Sequence, residues 1–140
     1  MISALDSSVI LDVLTGDARF ADASEALVVQ ARAQGRLVIC ECVLAEVRPV
    51  LESDDAMRRL LEDWEIGFVP SSVDSALLAG RLFASHLKRG GKAGRVVADF
   101  LIGAHALLHA DRLLARDRGY LRDYFAELQV CDPSRRDRRR

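Results

Sequence analysis

The 140-residue chain predicts an α/β fold, a mainly parallel sheet covered on both faces by helices. Short apolar runs alternate with stretches of helical periodicity from one end to the other, and the runs are branched and bounded by Gly, Pro or an acid. Parallel neighbours need a crossover, and the crossover is usually helical, so this alternation implies a parallel sheet between helical layers.

Ile2 to Leu5 is a short apolar run ending at Asp6, and Ser7 to Leu14 then places Val9, Ile10, Val13 and Leu14 at helical spacing. A second helix is expected from about Phe20 to Ala33, stopped by Gly35, followed by a buried strand at Leu37 to Cys40. A helix carrying Leu44, Val47 and Leu51 comes next. Pro49 should kink it or mark a break into another helix around Asp54 to Trp64. Ile66 to Val69 is the third strand, stopped by Pro70, and Leu77, Leu78, Leu82 and Phe83 make Val73 to Leu87 helical. Lys88 to Arg95 reads as a basic loop with three glycines. Ala98 to His109 is a helix apolar nearly all round, which implies burial in the core or at a subunit interface. A strand at Arg112 to Ala115, a short helix at Arg118 to Phe125 and a strand at Leu128 to Cys131 complete the order.

The length suits one domain, residues 1–133, followed by a basic tail at 134–140. Half the residues are hydrophobic and 29% are charged, an ordinary globular profile. The tail carries five Arg and one Asp; taking that +4 from the formal net charge of −1 leaves the body near −5. An acidic body does not grip nucleic acid through a broad basic face. If the substrate is nucleic acid, something else must offset the phosphate charge at the reaction centre, as a bound divalent cation would. Cys40, Cys42 and Cys131 are odd in number and lack zinc or disulfide spacing, so reduced thiols and a cytoplasmic location are expected. No signal peptide or membrane span is expected either.

Open parallel sheets bind ligands beyond the carboxyl ends of their strands, which directs attention to the acids just after predicted strands. Asp6 ends the first strand, Glu46 lies about a turn into the helix after the second, Asp99 opens the apolar helix, and Asp117 closes the fourth strand. Carboxylates gathered in one cleft repel one another, and such clusters usually hold hard divalent cations. Oxygen-only ligands favour magnesium or manganese over zinc. Taken singly, Asp6, Asp99 and Asp117 also suit helix caps, and Glu46 suits a solvated helix face.

Four segments carry a resemblance: Leu5-Asp6-Ser7-Ser8-Val9-Ile10-Leu11, Leu44-Ala45-Glu46-Val47, Val97-Ala98-Asp99-Phe100-Leu101-Ile102-Gly103-Ala104-His105-Ala106 and Leu113-Leu114-Ala115-Arg116-Asp117-Arg118-Gly119-Tyr120. In that order and spacing the chain resembles PIN-domain ribonucleases of the VapC toxin type, over nearly its whole length. Each block alone is a weak pattern; the ordered set is specific. The resemblance implies a three-layer α/β/α sandwich, a Mg2+- or Mn2+-dependent endoribonuclease acting on RNA, a cognate antitoxin protein as partner, and a homodimer. Carried over residue by residue, it implies a site of Asp6, Glu46, Asp99 and Asp117 as catalytic and metal-binding acids, with Ser7 and Ser8 supporting them. Ala115 departs from the pattern, because many relatives carry Thr or Ser two residues before the last acid.

Other signals are weaker. His105 and His109 stand four apart on one helix, a spacing that can hold zinc, but they fall away from the face of Asp99 and no HExxH glutamate accompanies them, which favours packing or a subunit contact. Arg89-Gly90-Gly91-Lys92-Ala93-Gly94 lacks the spacing and hydroxyl of a nucleotide-binding loop. Arg89, Lys92 and Arg95 on that loop, and Arg116 and Arg118 around Asp117, are candidates for contact with an RNA backbone. Asp6-Ser7-Ser8 does not suit a phosphatase of the haloacid dehalogenase type, which would want a second Asp where Ser8 stands. The rival from another class is a non-catalytic protein-interaction module whose acids are caps and surface charges.

Overall fold

The computed structural model describes residues 1–91, 96–117 and 119–135. Five parallel strands form one sheet in the order β3-β2-β1-β4-β5, from β1 (Ile2–Leu5), β2 (Arg36–Ile39), β3 (Ile66–Phe68), β4 (Arg112–Leu114) and β5 (Val130–Cys131). The chain builds outward from β1 on one side, then returns to β1's other side for β4. That reversal leaves a crevice at the carboxyl ends of β1 and β4, the kind of switch point where open α/β sheets place ligands. Register runs Ala4 against Val38 on one side of β1 and against Leu113 on the other.

Helices α1 (Ser7–Thr15), α2 (Ala21–Gln34), α3 (Glu41–Val47), α4 (Asp54–Asp63), α5 (Val73–Lys88), α6 (Val96–His109) and α7 (Tyr120–Tyr124) connect the strands and cover the sheet, giving the expected three-layer α/β/α architecture. The central strands are buried on both faces and therefore read as mostly apolar runs, with Leu5, Leu37, Ile39, Leu113 and Leu114 inaccessible and the buried Ser3 accepting from the Arg112 Nε at 2.8 Å. Pro49 ends α3 rather than kinking it: the chain passes into a 3-10 turn at Arg48–Val50, since proline at an interior position would remove a helical donor. Gly16, at φ +63°, closes α1 with its amide on Asp12 and Val13.

α6 begins two residues earlier than the periodicity alone suggests, at Val96. Its middle belongs to the core, with Phe100, Ile102, Ala104, His105 and Ala106 buried, while Val97 and Leu108 are exposed. His105 and His109 are packing residues: one ring nitrogen of His105 bonds the Val69 carbonyl at 2.7 Å, and one of His109 bonds the Ser72 hydroxyl at 3.0 Å. Both tie α6 to the link between β3 and α5. Burial holds the His105 imidazole below its ordinary range, and neighbouring His109 adds to this, against opposing effects of the Val69 carbonyl and Glu41. No described helix is long and apolar enough to cross a membrane, and the three cysteines are free thiols.

Candidate active site

Asp6, Glu46, Asp99 and Asp117 line one cleft of about 90 Å³, together with Ser7, Ile102, Arg116, Tyr120 and Leu121. Four different elements deliver them. β1 ends at Leu5, and the Asp6 amide donates to the Leu114 carbonyl at 2.9 Å, so the end of β1 is pinned to the end of β4. Asp6 is the N-cap of α1: its Oδ2 accepts from the Ser8 amide at 3.2 Å and from the Ser8 hydroxyl, leaving Oδ1 engaged by neither bond. The Ser8 hydroxyl also accepts from the Arg116 amide at 3.2 Å, joining the Asp6 carboxylate to the segment that carries Asp117.

Glu46 stands on α3 and accepts from the Ser7 hydroxyl at 3.3 Å. Asp99 is half-buried on α6, three residues before Ile102, so one helical turn presents both to the cleft. Asp117 organises the turn into α7, accepting from the Gly119 amide at 2.8 Å and from the Arg122 amide at 3.2 Å. Gly119 takes φ +104°, a conformation that favours glycine. Ala115 is fully buried and brings no hydroxyl; the hydroxyl found at these strand ends belongs to Ser8.

Among the described residues, no three Asp, Glu, His or Cys side chains stand close enough to form a closed cage for a metal. The acids face a shared space from its walls, where their like charges repel one another. The donor set still suits a hard divalent ion, because among the described residues the carboxylates of the cleft are accompanied by a serine and by no thiol or imidazole.

Two residues with a part in this region escape a reading of sequence. The Asp132 side chain is almost completely buried and accepts from the Asp117 amide at 3.1 Å, and from the Ser134 amide at 2.8 Å, so the residue just after β5 holds the last acid in place. Asp12, on the α1 face that also carries Ser8, pairs with Arg116 at 2.8 Å. The periodicity of α1 offers one signal: Asp12 lies four residues after Ser8, which is one helical turn. Of the basic candidates, Arg116 lines the cleft, whereas Arg89 lies on α5's exposed end with its guanidinium 5.3 Å from the Tyr124 ring. Lys92, Arg95 and Arg118 lie outside the described residues.

A family model for the PIN domain matches residues 4–125. Comparison with curated proteins gives no match. Among solved structures, a chain of VapBC2 from Rickettsia felis, bound to a DNA fragment from its promoter, superposes with a TM-score of 0.70 at 17% identity, covering 94% of this chain and 98% of that one. A chain of VapBC-1 from nontypeable Haemophilus influenzae gives 0.69 at 20% identity, over 96% and 100%. A toxin-antitoxin complex from Klebsiella pneumoniae gives 0.63 at 18%, over 94% and 97%. The span of the family match, with the parallel sheet and the acidic cleft at its switch point, makes this chain a member of the PIN-domain family.

Proposed function

We propose that the protein is a metal-dependent endoribonuclease of the VapC toxin type, hydrolysing RNA phosphodiester bonds and held in check by a cognate antitoxin. The observation that carries the reading is the shared cleft of Asp6, Glu46, Asp99 and Asp117 at the carboxyl end of the sheet. Magnesium or manganese held there would offset phosphate charge and lower the pKa of an attacking water. The protein's own part is to fix the carboxylates. Ser8 holds Asp6 by one oxygen, Ser7 holds Glu46, and the α7 turn together with Asp132 fixes Asp117.

The toxin assignment draws on the solved complexes, which pair a PIN-like fold with an antitoxin. A second groove of about 230 Å³, lined by Val13, Glu25, Val28, Val29, Arg32 and Trp64, offers an apolar floor between opposite charges, which suits an amphipathic helix of such a partner. Homodimerisation is part of the same proposal, and the exposed Val73 and Leu77 on α5, with Leu108 on α6, supply apolar surface for it.

The direct test is cleavage of single-stranded and structured RNA by purified, antitoxin-free protein in magnesium, manganese or EDTA, with Asp6→Asn alongside. Cleavage that needs metal and is lost in the variant is the expected result. Metal-independent cleavage, or equal activity in variant and wild type, would remove the nuclease assignment and leave the interaction-module reading.

A further inference from the structure

Arg116 sits on the wall of the acidic cleft, yet its guanidinium is held from the side away from solvent. Its Nη2 donates to Asp12 Oδ1 at 2.8 Å. Asp12 is itself 3% exposed, and its other oxygen accepts from the Ser24 hydroxyl at 2.9 Å, so the acid cannot turn away. The Phe20 ring lies against the guanidinium, 4.5 Å from Cζ, and the Arg19 guanidinium stands 5.2 Å from the same ring. Phe20 is placed by Asp17, whose carboxylate accepts from the Phe20 and Arg19 amides at 2.9 Å each. Arg116 Nε is buried with no hydrogen-bond partner among the described residues.

Burying a carboxylate beneath a surface arginine is a costly way to gain stability alone. It does immobilise the guanidinium: a side chain that normally samples many rotamers is fixed by an ion pair at one end and an aromatic face beneath. Only one of its five N–H donors is committed to Asp12, and the side chain keeps about a third of its surface exposed, at 34%. Around it, the cleft is lined by the carboxylates Asp6, Glu46, Asp99 and Asp117, which repel a polyanion.

We propose that Asp12 is a positioning residue that, through Arg116, presents a fixed cation to the phosphate of single-stranded RNA beside the bond addressed by the acids. Phe20 is the support for that guanidinium, and Arg19 extends the basic edge away from the cleft. The inference rests on the nuclease reading. It adds the contact that lets an acidic protein hold the strand it cuts.

The test measures RNA binding separately from cutting. A fluorescein-labelled single-stranded oligoribonucleotide is titrated by anisotropy in EDTA at several KCl concentrations, with wild type, Arg116→Gln, Arg116→Lys, Asp12→Asn and the Asp12→Asn/Arg116→Gln double variant. Arg116→Gln is expected to weaken binding roughly tenfold and to reduce the slope of log K against log salt by about 0.7, the share of one phosphate contact on a single strand. Arg116→Lys should keep the slope while losing affinity. Asp12→Asn should also keep the slope and lose affinity, and its effect should disappear in the Arg116→Gln background, because the two act as one unit. Melting curves identify variants that fail to fold, and Arg116→Lys preserves the charge if Asp12→Asn does not fold. Unchanged affinity and slope in folded Arg116→Gln would overturn the inference while leaving metal-dependent cleavage intact. Wild-type protein that neither binds nor cleaves RNA would overturn both.

Discussion

Asp6 caps α1, Asp117 braces the turn before α7, and both also form walls of the cleft. Asp6 spends Oδ2 on Ser8, and Asp117 orders the α7 turn through Gly119 and Arg122. Sequence alone sets cap against site as alternatives, because a strand-to-helix acid suits either; in the fold Asp6 caps α1 and lines the cleft at once, its Oδ2 held by Ser8. His105 gives a prediction at this scale. Its folded pKa is lowered from 6.5, chiefly by burial, so the unfolded chain takes up a proton at a higher pH than the native one. Stability from this group is complete above about 6.5 and is lost as pH falls from there through the lower folded value. Thermal melts from pH 8 to 5 should show the midpoint falling below pH 6.5, with a flatter profile in His105→Gln; an identical slope in that variant would assign the loss to other groups. Asp12 was hidden from sequence because a single acid in Val9-Ile10-Leu11-Asp12-Val13-Leu14 resembles a solvent-facing position. Its partner Arg116 arrives 104 residues later.

At the scale of elements, α5 and α6 form the most extensive helix pair, and two glycines within them face opposite circumstances. A Cβ on Gly80 in α5 meets nothing within 4 Å, whereas one on Gly103 in α6 would stand 2.6 Å from the Phe125 ring. Ala gains about 1 kcal/mol over Gly in a helix interior. Gly80→Ala should therefore stabilise by up to about 1 kcal/mol. At Gly103 overpacking costs about 1–3 kcal/mol. Phe125 is buried against Phe100 and has little room to give, so Gly103→Ala should destabilise by about 1–2 kcal/mol net of the helix preference. Urea titrations of the two variants check both signs, and stabilisation at Gly103 would show that the ring yields. The order and type of these elements were readable because the strands carry short, mostly apolar runs and the helices keep their period. The boundaries were less so. β5 is two residues, Val130–Cys131, where the apolar pattern suggested four, because Leu128 packs into the core from a turn.

For the whole molecule, the sheet order gathers charges that are far apart in sequence, from Asp6 to Asp117, at the crevice beside β1. A ligand that binds only the native state raises stability by mass action, about 2.7 kcal/mol at a hundred times its Kd. If the cleft takes a divalent cation, saturating manganese should raise the melting temperature by roughly 8 °C, given the usual dependence of midpoint on free energy for a chain of this size. EDTA should reverse the rise, and Asp99→Asn should abolish it. A wild-type midpoint indifferent to manganese would argue for the interaction-module reading. The position of Asp132 bears on a different moment in the protein's life. Because its carboxylate secures the Asp117 amide from the strand end beyond β4, the cleft lacks its final brace until the chain has been synthesised past β5. On the ribosome, a nascent chain already carrying Asp6, Glu46, Asp99 and Asp117 lacks that brace until Asp132 has also emerged and β5 has joined the sheet.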